Sequence, residues 1–273
     1  MIIDTHAHLE LFEDLEEVLA RAKEAGVSKV ITIGTSLETS RRAIRIAEYF
    51  SNDDHKIYAT CGIHPNDGAE EVENLGLIKV IKNLQEIAKS SNKVVGVGEC
   101  GLDYFTVKSE KGKVTSDKEK EFQRELFSTQ IKLAIDLDLP LVVHCRNGWT
   151  EIFELLTTNN SQLTNLRGVF HSFTGGVEEV KKAVDLGFYV SFAGIVTFGN
   201  AKNIAEAAKQ VNPDRILLET DSPFLAPEPF RGSQNEPKNV RIIGQFLAKQ
   251  LKLPIGKIEK LTTNNADILF GLS

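Results

Sequence analysis

The 273-residue chain has only three cysteines, Cys61, Cys100 and Cys145. An odd number without metal-finger spacing excludes a disulfide framework and points to a reducing compartment. No apolar run approaches the roughly 20 residues that a membrane helix needs. The opening residues, MIIDTHAHLE, carry neither a basic segment nor a long apolar stretch, so no signal peptide is expected and the predicted location is the cytoplasm, with no membrane partner. Positive charge is also short: 32 Lys and Arg against 38 Asp and Glu give a net charge of −6. That excludes a protein that coats nucleic acid by its field alone; phosphates would have to be handled locally, by metal ions or a few arginines. With 20 glycines and 8 prolines, neither disorder nor a fibrous repeat is indicated, and no G-x-S-x-G elbow offers a serine nucleophile.

What is present is an unbroken alternation. Short β-branched runs at 1–6, 29–34, 56–63, 93–99, 140–144, 167–172, 187–193 and 215–221 alternate with segments of helical period near 12–26, 37–50, 75–90, 118–138, 148–158, 177–186, 200–210 and 236–252. Eight β-then-α units predict an α/β fold, a (β/α)8 TIM barrel, as one domain over 1–273 with an extra C-terminal helix near 255–272. A doubly wound open sheet shares the same local alternation. Two loop-like stretches, 104–116 and 222–237, follow the fourth and eighth strands and so belong to the C-terminal face, where barrel active sites are built.

Residues able to bind metal cluster at the predicted strand ends. His6 and His8, two apart at the end of the first strand, face the same side. Glu99 closes the fourth strand, His144 the fifth, His171 the sixth and Asp221 the eighth. A carboxylate or imidazole at the end of an apolar strand costs several kcal/mol to desolvate unless it is paired or coordinated, and one shared metal cluster satisfies all six together. Six ligands exceed what a single catalytic ion uses, so two divalent ions are expected, Mg, Mn or Zn. Glu99 is suited to bridge them, with His6 and His8 on one ion and His144 and His171 on the other. Asp221 would bind the first ion and accept a hydrogen bond from its water.

The motifs DTHAHL (4–9), GIHP (62–65), GECGLDY (98–104), HCR (144–146), HSFTGG (171–176) and ETDSPFLAP (219–227) run in order through the chain. With them it resembles the TatD-related metal-dependent deoxyribonucleases, a branch of the amidohydrolase-like metal hydrolases. The resemblance implies a TIM barrel, divalent metals and hydrolysis of DNA phosphodiesters, often from a 3′ end, and it carries the ligand role onto the same His6, His8, Glu99, His144, His171 and Asp221. Cys100, where the family usually has an aliphatic residue, and Asn147-Gly148, where it often has Asp-Ala, depart from the pattern.

Further residues are expected near the mouth. His64, Arg146 and Arg231 are candidate contacts for a substrate phosphate, a guanidinium being suited to bidentate binding. His64 could equally be held by the turn before Pro65, and Arg146 by a structural ion pair. Asp103 could orient a ligand, and Asp4 could support His6. Tyr104, Phe105, Trp149 and Phe173 could stack on bases or belong to the core. His55 is expected to be solvated, and Cys145 to point away from the barrel interior. The glycines of VGVGECGLDY (95–104) also spell G-x-G-x-x-G, but no helix start follows Gly101 to seat a dinucleotide pyrophosphate; Gly101 is instead expected to begin a turn. The enzyme alternative is hydrolysis of a cyclic amide or lactone on the same barrel. Nucleic acid, DNA and conceivably RNA, is the expected substrate partner. A monomer is expected because a closed barrel has no free sheet edge.

Overall fold

The computed structural model describes residues 1–105, 116–160 and 166–272. Eight parallel strands, β1 (Ile2–Ala7), β2 (Val27–Thr32), β3 (Lys56–Cys61), β4 (Val94–Asp103), β5 (Leu141–Arg146), β6 (Gly168–Phe170), β7 (Tyr189–Phe192) and β8 (Ile216–Leu218), pair in chain order. The seam between β8 and β1 is drawn together at its C-terminal end: the Asp221 amide donates to the His6 carbonyl at 2.9 Å and the His8 amide to the Ser222 carbonyl at 2.7 Å. The result is the expected TIM barrel. Around it lie α1 (Leu15–Glu24), α2 (Leu37–Phe50), α3 (Gly68–Leu75), α4 (Leu77–Lys89), α5 (Asp117–Asp136), α6 (Trp149–Asn160), α7 (Val177–Asp185), α8 (Lys202–Ala208) and α9 (Val240–Leu251), with α10 (Ile255–Phe270) as the extra C-terminal helix. No described helix is long and apolar enough to cross a membrane. Of the polar stretch read at 104–116, residues 106–115 lie outside the described residues.

The local signals are capping and period. Ser36 and Ser116 each accept from the amide three residues on, Thr39 and Glu119, whose side chains return the bond, so α2 and α5 start with full capping boxes. The helix α3 was not foreseen. Gly76, at φ 79°, separates it from α4, a backbone conformation that glycine adopts without strain.

Two apolar layers hold the barrel. Strand residues pointing outward, such as Val30, Ile57, Val97 and Val143, pack against the helices. Those pointing inward, including Ile3, Ile31, Val95, Val142, Val169 and Leu217, fill the interior and meet Ala266, Leu269, Phe270 and Leu272 from the C-terminal segment. Helix α10 therefore closes the N-terminal mouth of the barrel, and Lys29 Nζ fixes it by donating to Asp267 Oδ1 at 2.8 Å. The opposite mouth is left for chemistry.

Two irregularities aim side chains at that mouth. Strict alternation from inward Ile3 would turn His6 outward, but the register shifts between Asp4 and Ala7. In β4 a shift between Val97 and Cys100 lies around Glu99 in the same way, with Val97 and Cys100 both packed outward. A bulge re-aims a side chain without bending the whole sheet. The expected end of β4 at residue 99 is corrected: the strand continues to Asp103, pairing Gly101 with His144 and Asp103 with Arg146. Gly101 thus begins no turn. It lies within the ladder at φ 145°, and a Cβ there would stand 2.0 Å from the His144 carbonyl oxygen.

Gly101→Ala combines a strained φ with a backbone clash, which together cost about 2–5 kcal/mol. The expected outcome is a lower midpoint of thermal unfolding and weaker divalent-metal binding, because the carbonyl displaced belongs to His144. Calorimetry and metal analysis of the variant check this.

Candidate metal centre

The side chains at the C-terminal mouth converge on Glu99. Its carboxylate is buried, and five of the six histidines face it: His171 Nε2 at 2.8 Å, His144 Nδ1 at 2.9 Å, His6 Nε2 at 3.4 Å, His64 Nε2 at 3.6 Å and His8 Nε2 at 3.8 Å. Asp221 Oδ1 lies 3.4 Å from His8 Nε2 and 3.7 Å from His6 Nε2. All six residues expected as ligands are therefore brought together. Among the described residues, three ligand sets are compact enough to hold a cation: His6, Glu99 and His171; His6, His8 and Asp221; and His64, Glu99 and His144.

The donor set fits a divalent cation. His144 Nδ1 and His171 Nε2 approach to 3.2 Å while both face the same Glu99 oxygen, a triangle of lone-pair donors around one point. Neither ring nitrogen of buried His6 has a hydrogen-bond partner, an arrangement that coordination by Nε2 explains. The rings of His6 and His171 stack at 4.0 Å.

Electrostatics agree with this arrangement. Burial acts to raise the Glu99 carboxyl, but the imidazoles of His171, His64 and His144 outweigh it and hold the group well below the usual carboxylate range. Asp221 is likewise held low, burial being overcome by His8, His6 and His171. Burial depresses His8, yet Asp221, Glu10 and Glu99 carry its imidazole up to about 10. His144 and His171 are raised against burial by Asp103 and Glu99, and by Glu99 and Glu219. Burial drives His64 down to about 4, so it is neutral at physiological pH.

Carboxylates also stand behind the imidazoles and fix their orientation. Asp103 Oδ2 lies 3.3 Å from His144 Nε2 and accepts from Asn66 Nδ2 at 3.1 Å. Glu219, buried, faces His171 Nδ1 at 3.5 Å while accepting from the Ser172 amide at 2.6 Å. Glu10 Oε1 lies 3.6 Å from His8 Nδ1. Asp4 accepts from the amides of His6 and Thr220 and from the Thr220 hydroxyl, tying the β1 and β8 ends together. Sequence reasoning singled out Asp103 and Asp4 but missed Glu10 and Glu219, although each lies two residues from a ligand, which was the available signal.

The cluster opens into a cavity of about 570 Å³, within the usual range for small-ligand sites. Arg146 lines it, with its guanidinium 3.4 Å above the half-exposed Phe105 ring. His64 lines it too, closer to the ligand cluster than a substrate contact requires. Arg231 is not brought there: it pairs with Glu228 at 3.9 Å and lies over Phe198, outside the cavity wall. Of the other aromatics, Trp149 and Phe173 belong to a core cluster with Phe153 and Phe170, and Tyr104 packs on the core beneath Lys120. Cys145 packs outward as expected. His55 is corrected: it is 3% exposed, tucked in by a turn in which the Asn52 side chain accepts from its amide.

The family model described as TatD related DNase matches residues 3–271. The uncharacterized metal-dependent hydrolase YabD of Bacillus subtilis is 36% identical over 277 residues, spanning 100% of both chains. The uncharacterized metal-dependent hydrolase YcfH of Escherichia coli K12 is 32% identical, covering 98% of this chain and 95% of its own length. Among solved structures, YjjV, a TatD homolog from Escherichia coli K12, superposes with a TM-score of 0.84 at 29% identity, covering 100% of this chain and 98% of its own.

Divalent ions compete with protons for these imidazoles, so affinity for Mn²⁺ or Zn²⁺ is expected to rise from pH 6 to pH 9 and binding to release protons. The sign follows from His8, carried up to about 10, and from the upward shifts of His144 and His171: each holds its proton more tightly than a free imidazole, and a cation must displace it. Titration calorimetry in buffers of differing ionisation enthalpy reads the release directly. Glu99→Ala is expected to weaken binding at least about tenfold; unchanged affinity would remove Glu99 from the centre.

Proposed function

From the premise that this chain belongs to the TatD-related DNase family, as the match over residues 3–271 shows, we propose that this metal-dependent hydrolase cleaves phosphodiester bonds of DNA, from the 3′ end. The observation that carries the reading is the convergence of His6, His8, Glu99, His144, His171 and Asp221 in one cluster, which opens into a cavity whose wall also holds Arg146. Two divalent ions fit the reading: His6, His8 and Asp221 would hold one, His144 and His171 the other, with Glu99 between them. Bound there, such ions supply Lewis acidity toward a phosphoryl oxygen and make water a nucleophile at neutral pH.

The chain's own residues do the remainder. Asp221, kept ionised, accepts the proton of the attacking water. Arg146, its guanidinium over the Phe105 ring and lining the cavity, contacts a non-bridging phosphate oxygen. Asp103, Glu219 and Glu10 hold the imidazoles in orientation, so little reorganisation accompanies the reaction. The substrate partner in this reading is nucleic acid, engaged over a few nucleotides. The chain acts as a monomer in the cytoplasm, where its three free, buried thiols stay reduced.

The test follows 5′- and 3′-labelled single- and double-stranded oligonucleotides after chelation and restoration of Mg²⁺, Mn²⁺ or Zn²⁺. Metal-dependent laddering that consumes the 3′ label is expected. Glu99→Ala and Asp221→Asn should each lower kcat by about 10²–10³, and Arg146→Ala should act mainly on KM. Turnover of a lactone or cyclic amide with no cleavage of DNA would overturn the reading.

A further inference from the structure

The segment that follows β8 is strained and tightly held, yet it presents a large aromatic ring to solvent. Asp221 and Leu225 both adopt left-handed φ values, 57° and 52°, which non-glycine residues rarely do without being forced. What forces them is on either side. The backbone at 221 and 222 is bonded to His6 and His8. Buried Asn235 donates through Nδ2 to the carbonyls of Thr220 at 2.9 Å and Phe224 at 2.8 Å, and its amide donates to the Pro223 carbonyl at 3.0 Å. The Leu225 carbonyl oxygen occupies the space that a Cβ on Gly194 would need, 1.9 Å from it.

Between the two strained residues stands Phe224. Its backbone is fixed, but it is 52% exposed, lines the same cavity as the ligand cluster, and sets its ring edge-to-face with His8 at 5.7 Å between centroids. Leu11, 49% exposed, lines the cavity as well. A large apolar side chain left open on a rigid backbone, next to the ligands, is built to meet something flat that arrives with the reacting group.

We propose that Phe224 is the stacking platform for a nucleobase flanking the scissile phosphate. The inference rests on the phosphodiesterase reading above and deepens it by naming the specificity element. A phosphodiester engaged at the metal ligands carries its bases on short tethers, and the ring beside His8 is the aromatic apolar surface in the same cavity wall, next to those ligands. Every base offers a π face, so such a platform recognises nucleotides without reading sequence.

The test uses the metal-loaded protein and oligonucleotides in which one nucleotide flanking the scissile bond, on either side in turn, carries no base. For the wild type, removing the stacked base is expected to lower kcat/KM by about 5- to 100-fold, mainly through KM. For Phe224→Ala or Phe224→Leu the penalty for that same omission should largely vanish, because the two losses report one contact. Phe224→Trp should restore it. Metal content and thermal midpoint of each variant show whether the turn has kept its shape. An equal base-omission penalty in wild type and Phe224→Ala would overturn the platform while leaving the nuclease reading intact. Failure of the wild type to cleave any oligonucleotide would overturn both.

Discussion

Everything at the catalytic end of this barrel is arranged around one buried carboxylate. Glu99 sits among five imidazoles, the nearest two within 3 Å, and removing a carboxylate from water is tolerable only when such partners surround it. Bringing five histidines to one point from separate strands demands the closed barrel. A single strand could supply two, as β1 and its exit do with His6 and His8. The others, His64, His144 and His171, come from the exits or ends of β3, β5 and β6. The irregularities in β1 and β4, the crowded glycines beside them and the carboxylates behind the imidazoles are all consequences of keeping that point occupied by ligand atoms.

Stability and chemistry are divided between the two mouths. At the N-terminal end α10 drives Leu269 and Phe270 into the interior, and Lys29 pins it through Asp267, so the barrel is packed like any other core there. At the C-terminal end polar groups replace packing: Asp4, Thr5 and Thr220 are buried and hydrogen-bonded across the β8–β1 seam, and buried Asn235 holds Thr220 from the segment that follows. This network is costly if any member is lost, and it fixes the strained turn after β8 as a by-product.

The barrel was legible in the sequence because eight apolar runs and their helical spacers obey simple periods, and the convergence of the six candidate ligands was legible because polar residues at apolar strand ends need a common partner. What stayed hidden was whatever departs from period. Alternation cannot announce that His6 and Ile3 share a face, since a bulge intervenes. Nor does a glycine-rich string show whether it turns or continues; Gly101 continues, because its missing Cβ lets β4 pass the His144 carbonyl. His55 looked solvated because polar neighbours surround it in sequence, while the turn around Asn52 buries it. Arg231 looked like Arg146, but only the latter leaves a strand whose end borders the cavity; the former sits in a loop where Glu228 and Phe198 engage it. Glu10 and Glu219 were readable in position, not in role, because a residue two places from a ligand can point at it or away.

The charge of the cavity ties substrate choice to the metal more closely than chemistry alone requires. Glu10, Asp67, Glu99 and Asp221 all line it, against Arg146 as the one Lys or Arg among its described lining residues. In the proposed reading a phosphodiester would meet these carboxylates offset only by Arg146 and by the raised imidazoles of His8, His144 and His171, in a partly desolvated space where charge interactions are several times stronger than in water. Two divalent cations, bound as proposed, would add positive charge at that point, while the chain's own net charge of −6 keeps the whole acidic. On that reading an acidic protein would act on an acidic polymer by gripping little of it. Attraction confined to the mouth would have to be supplemented by contacts that do not depend on charge, and the exposed apolar surface of Phe224 in the cavity wall is suited to that kind of contact.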